Sequence, residues 1–260
     1  MHNLTHMKIA ELFESQTNDL ATHEEVIAWC KAKIKSKKLI FGYSERPDVA
    51  ETAPFKINAN RVIFQKTAIL KKPLPVQFSE ATSYELNECK YLTDLGQLRV
   101  DKVGRLKAEK TDLQSLHNCP EITHSLDISY TPIKSLEGIS TNLQELRAYS
   151  CQNLIAIDTH MPKLKRLIVS CSGLTSLKNI HKFAPNLESL QINMNPIESN
   201  ILGLLRLPKL RFFIYSPGAD GADRLKQALQ IVEKHFKGDK NIIACQEELF
   251  KNGLDEYAKL

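Results

Sequence analysis

Histidines, cysteines and an acidic turn are the residues here whose types could bind a metal, attack a substrate or move a proton. The chain has eight histidines, but none stands at metal-ligand spacing from another, and His117, His160 and His181 fall in turn segments that solvent should reach. Cys30, Cys89, Cys119, Cys151, Cys171 and Cys245 lie far apart without a CxxC pair, so reduced thiols are expected and not a zinc site or a short disulfide framework. Asp220 and Asp223 in SPGADGAD lack the alternating oxygen ligands of a calcium loop and suit helix capping. No phosphate loop, GxSxG elbow, HExxH or dinucleotide fingerprint occurs. The expectation is a chain with no catalytic residue, no metal and no cofactor, which is not an enzyme.

A second set of residues has the chemistry of recognition. Arg147, Tyr149, Arg166, Ile168, Gln191, Arg211, Phe213 and Tyr215 combine arginine with large apolar groups, the composition found at interface hot spots. They recur as i, i+2 pairs in blocks about twenty residues apart. Only a repeating scaffold brings such blocks onto one surface.

That scaffold is legible. YELNECKYLTDL from Tyr84, LKAEKTDLQSL from Leu106, LDISYTPIKSL from Leu126, LRAYSCQNLIAI from Leu146, LIVSCSGLTSL from Leu167, LQINMNPI from Leu190 and LRFFIY from Leu210 align at intervals of 20 to 23 residues. Val103, Leu143, Leu164, Leu187 and Leu207 stand three positions upstream and complete the LxxLxL spacing of a leucine-rich repeat. Alternation such as Leu126 and Ile128 marks a short strand with one buried face. Five residues after each strand's first apolar position comes Cys89, Thr111, Thr131, Cys151, Ser172 or Asn195, each able to bond backbone freed at an inward turn. The resulting fold class is an α/β solenoid of short-period leucine-rich repeats, with about seven parallel strands.

The ends of such an array need cover. Residues 1–53 read as a helical region, with Thr22 and Glu25 as a capping box and Val26, Ile27, Cys30 and Ile34 as an apolar stripe. Lys31, Lys33, Lys35, Lys37 and Lys38 spread around its solvated side. FKIN and RVIF around Ala59-Asn60 read as a β-hairpin, so residues 54–82 form an N-terminal cap to a solenoid over 83–216. Residues 217–260 form a C-terminal helical cap, with Leu225, Ala228, Leu229, Val232 and Phe236 on one side and Leu249, Phe250, Leu254 and Tyr257 closing the end.

Outward strand positions then line a concave surface. Glu85, Lys107, Asp127 and Arg147 alternate in sign along its middle and are expected to pair as a structural ladder. The recognition residues occupy its second half, where Phe213 and Tyr215 are either exposed or covered by the C-terminal helices. Apolar runs are far too short to span a bilayer, the opening residues lack a signal-peptide core, and 35 basic residues are interspersed with 30 acidic ones for a net charge of +5. A cytoplasmic protein without membrane or small-molecule partners is expected.

The order FKIN-ANRVIF, LPVQF, repeats carrying LTDL, LQSL, IKSLEGI and LTSL, and finally ACQEELFKNGLDEYAKL resembles leucine-rich-repeat proteins of large tailed bacteriophages, over roughly residues 54–260. It departs from their GxP element: Gly138-Ile139-Ser140 lacks the proline and Asn118-Cys119-Pro120 the glycine. The resemblance implies a viral protein acting inside a bacterium, and no activity. The functional expectation is a protein-interaction module for a bacterial host protein. Nucleic-acid binding by the arginine-bearing half and a structural or internal virion role are the alternatives.

Overall fold

The computed structural model describes residues 39–41, 48–49, 56–65, 77–216 and 223–259, with Glu24, Ala28, Lys31 and Ala32 besides. Those four are helical, as expected of the N-terminal region. The capping pair Thr22 and Glu25, the stripe Val26, Ile27, Cys30 and Ile34, and Asp220 lie outside the described residues.

The architecture is a parallel β solenoid. Short strands β1 (Leu39–Phe41) and β2 (Asp48–Val49) pair antiparallel with β3 (Lys56–Gln65) at one edge. From β3 the sheet continues in chain order and parallel through β4 (Gln77–Asn87), β5 (Val100–Lys107), β6 (Glu121–Asp127), β7 (Glu145–Arg147), β8 (Arg166–Ile168), β9 (Ser189–Gln191) and β10 (Phe212–Ile214). Leu106, Leu126, Leu146, Leu167 and Leu190 are register partners on successive strands, and all are fully buried. The spacing of about twenty residues is therefore the length of one turn, and stacking is what removes each leucine from water.

Three expectations change. Residues 1–53 are not a helical region throughout, since β1 and β2 lie within them and pair with β3. The hairpin at Ala59-Asn60 is instead one continuous strand, with Val62 beside Tyr84 and Phe64 beside Leu86. RVIF is thus an additional turn of the array: its inward Val62 and Phe64 extend the core, where Phe64, Tyr84 and Phe78 pack ring against ring at 5.5–5.6 Å. The last strand is displaced by three residues, since Phe213 and not Leu210 is the partner of Leu190. Leu207, Leu210 and Phe213 are spaced by threes, so either pair satisfies LxxL; the 3-10 turn Ile201–Leu204 absorbs the extra length.

Where the chain leaves the sheet, the polar column forms a ladder through the buried interior. Thr131 Oγ1 donates to Ile128 O (2.7 Å) and Thr111 Oγ1 to Ala108 O (2.9 Å). The Cys151 thiol donates to Ile128 O, while Cys151 N–H donates to Ser172 Oγ and Ser172 N–H to Asn195 Oδ1, both at 3.1 Å. Asn195 Nδ2 donates in turn to Val169 O and Ile192 O. Each turn is tied to the next through groups that would otherwise be buried without partners.

The residue before each ladder position is left-handed: Glu88, Lys110, Tyr130, Ser150, Cys171 and Met194 have φ of 54–61°. The opposite turns use a different device. In LTDL, LQSL, IKSL and LTSL the third residue (Asp94, Ser115, Ser135, Ser176) accepts a hydrogen bond from the N–H two positions on, at 2.7–3.1 Å. A left-handed residue stands three positions after Ser115, Ser135 and Ser176, at Asn118, Gly138 and Asn179. Asn118 and Asn179 thus occupy the position that Gly138 holds in its own turn, because asparagine tolerates that conformation.

Downstream of the one-turn helix α1 (Ile180–Phe183), helices α2 (Asp223–Lys237) and α3 (Ile242–Lys251) pack beside the last turn. The expected stripe Leu225, Ala228, Leu229, Val232 and Phe236 is buried, as are Leu249, Leu254 and Tyr257, whereas Phe250 is exposed. Asp223 sits in the first turn of α2, where a carboxylate favours the helix dipole. Asn241 caps α3 by accepting from Ala244 N–H. Lys234 Nζ and His235 Nε2 both reach Glu248 at 2.8 Å and tie the two helices together.

Candidate functional site

The outward face of the sheet can be followed strand by strand from the register. One column runs Arg105, Ser125, Glu145, Arg166, Ser189, Phe212, and the next Lys107, Asp127, Arg147, Ile168, Gln191, Ile214. Of the eight recognition residues, Arg147, Arg166, Ile168 and Gln191 occupy these columns as expected, and Tyr149 follows β7 on the same face with 38% of its surface exposed.

Phe213 and Tyr215 do not join them. Both turn to the core side, stacked at 5.8 Å, and Phe213 packs edge-on against Phe236 of α2 at 5.2 Å. The three-residue displacement exposes Phe212 (49%) and Ile214 (43%) in their place. Arg211 precedes β10, its N–H donating to Glu188 O, and its guanidinium stands 3.7 Å from the Glu188 carboxylate.

The charges of the middle column alternate as expected, but Glu85, Lys107, Asp127 and Arg147 form no ion pair with one another. Glu85 is bonded by Arg61 at 3.0 Å. Asp127 accepts from Ser129 N–H and Oγ at 3.0 and 2.6 Å, and Ser129 Oγ accepts from Tyr149 N–H. Arg147 Nε bonds Glu145 within its own strand at 2.7 Å, which holds the guanidinium above its ordinary pKa. Burial, with Asp127 close by, raises the Glu109 carboxyl. Glu85, Asp127 and Arg147 are thus each bonded within the face.

The second half is apolar at its far margin. Tyr130 and Tyr149 meet ring to ring at 5.3 Å, with Lys110 Nζ 5.9 Å from the Tyr130 ring. Cys171 Sγ lies 3.6 Å from Met194 Sδ. A hydrogen bond from the Tyr149 phenol to Cys171, and then the Cys171 charge, push the phenol up. Tyr130 and Met194 are exposed and were not among the expected residues. The signal for them is positional: each stands one place before a ladder residue, where the left-handed backbone turns the side chain out along the sheet margin.

Among the described residues no His, Cys, Asp or Glu cluster has the arrangement of a metal site, and no helix is long and apolar enough to cross a membrane. Burial pushes the Cys119 thiol up to about 11 and the Cys245 thiol to about 12, far from a reactive thiolate. Comparison with known proteins finds no match to a family model, to a curated protein or to a solved structure.

Proposed function

We propose that this protein is a leucine-rich-repeat interaction module without catalytic activity, encoded by a large tailed bacteriophage, that binds a host protein in the bacterial cytoplasm through the second half of the outward sheet face. The observation that carries this is the exposure of Tyr130, Tyr149, Met194, Phe212 and Ile214 around Arg166 on a face whose backbone is already hydrogen bonded. Large apolar groups clustered on a rigid surface favour association, because little ordering is needed on binding. The leucine-rich-repeat assignment is supported by the turn length and by the ladder from Thr131 to Asn195.

A nucleic-acid reading of the same face is less well supported. Of the three arginines proposed for the site, Arg147 is held by Glu145 and Arg211 stands beside Glu188, which leaves Arg166 without a carboxylate at ion-pair distance among the described residues. The test is affinity purification from infected bacteria with the wild-type chain and the Tyr149→Ala/Arg166→Ala variant, read by mass spectrometry. A specific host protein lost with the variant is expected. Unchanged recovery of every specific partner overturns the reading.

A further inference from the structure

Five cations gather where the chain enters β8 and β10. Lys165 immediately precedes β8, which opens on Arg166; Lys209 and Arg211 precede β10, and Lys163 stands two residues before Lys165. Lys163, Lys165 and Lys209 line one groove of about 350 Å³ with Asn186 and Glu188. Lys163 Nζ donates to Asn142 at 2.6 Å. Among the described residues Lys165, Arg166 and Lys209 have no carboxylate at ion-pair distance, and Glu188, near Arg211, is the acidic group lining the groove.

Glu188 of the groove leads directly into β9, which pairs with β10 at the apolar end of the sheet. Ser189 lies in register between Arg166 and Phe212, is only 8% exposed, and its hydroxyl has no hydrogen-bond partner among the described residues. That oxygen is closed off from the surface, so the face between Arg166 and Phe212 is formed by those two side chains.

We infer that this groove and the adjoining face take an extended acidic peptide segment carrying a large apolar side chain. Its carboxylates lie against Lys165, Arg166 and Lys209, and its apolar group rests on Phe212 and Ile214. Three strands at a spacing of about 4.8 Å set the width of the site at roughly 10 Å, or about three residues of extended chain. The exposed Phe212 and Ile214 beside these cations suit a mixed acidic and apolar peptide better than a phosphate backbone, which favours an unbroken basic track. The inference rests on the protein-binding reading above and specifies the chemistry of that partner.

The experiment is selection from a random dodecapeptide display library on the purified full chain. Anisotropy titrations of the recovered peptides and of a single-stranded DNA dodecamer follow, on the wild type, Lys165→Glu/Lys209→Glu and Tyr149→Ala. Recovered peptides should be net negative with at least one large apolar residue, and charge reversal should weaken them by at least about tenfold. No enrichment, neutral or basic peptides, affinity unmoved by charge reversal, or tighter binding of the DNA overturns the inference. Peptides that lose affinity with Tyr149→Ala and keep it on charge reversal overturn the acidic-peptide inference alone and leave the protein-binding reading standing.

Discussion

Asn195 shows how one side chain can hold two turns. Its amide donates to Val169 O and Ile192 O while its oxygen accepts from Ser172 N–H, all in the buried interior. Asn195→Leu leaves those groups without partners, each costing about 1–3 kcal/mol, so urea unfolding should show a loss of at least about 2 kcal/mol. Ser150 has the opposite outlook, since φ of 58° strains any residue with a Cβ. Ser150→Gly relieves that strain at some cost in unfolded-state entropy and should raise stability by up to about 1 kcal/mol, measured in the same titration. Thiol chemistry separates by position as well. Cys89, Cys151 and Cys245 are buried, whereas Cys171 lies partly exposed at the sheet margin. Brief alkylation of the native chain, mapped by mass spectrometry, should label Cys171 ahead of those three.

Elements meet through contacts that a single change can test. Gly138 has φ of 88°, and a Cβ there would stand 2.6 Å from Leu116 O in the preceding turn. Gly138→Ala must therefore move backbone, and an unfolding midpoint equal to wild type would refute that packing. The joint between α2 and α3 is electrostatic on its exposed side. Hydrogen bonds from Lys234 and then His235 hold the Glu248 carboxyl below the ordinary value of 4.5. A group whose folded pKa is lowered stabilises the fold above its unfolded value, and that stabilisation is lost as pH falls through the folded one. Hydrogen exchange in α3, corrected for its intrinsic pH dependence, should accelerate below about pH 4.5. Glu248→Gln should remove that acid response, and its persistence in the variant would exclude this carboxylate as the cause.

For the whole molecule, stability is a sum of turns and the interfaces between them. Leu146 touches the turns on both sides through its partners Leu126 and Leu167 and is fully buried. Leu146→Ala should cost about 2–5 kcal/mol, whereas Tyr149→Ala, which loses the ring contact with Tyr130, should cost about 0.5–1.5 kcal/mol. A comparable loss at both positions, read from thermal unfolding, would contradict a core on one side of the sheet and a free surface on the other. Purified virions offer a further discrimination at this scale: a host-binding module is expected in infected cells, and a structural component in the particle.

Much of this was legible because one-dimensional stacking writes itself into sequence. The interval of 20 to 23 residues determined the turn length, the leucine column from Leu106 to Leu190, and the ladder from Thr111 to Asn195. With the register went Arg147, Tyr149, Arg166, Ile168 and Gln191, since strand alternation alone decides which of them face outward. Two things needed tertiary structure. RVIF makes one repeat strand or half a hairpin with equal local propensity, and only the pairing of Val62 and Phe64 with Tyr84 and Leu86 selects the strand. Likewise Leu207, Leu210 and Phe213 offer two registers of the same spacing. The packing of Phe213 on Phe236 decides between them, turning Phe213 and Tyr215 inward and Phe212 and Ile214 out, because burial against a distant helix is a term that no local pattern contains.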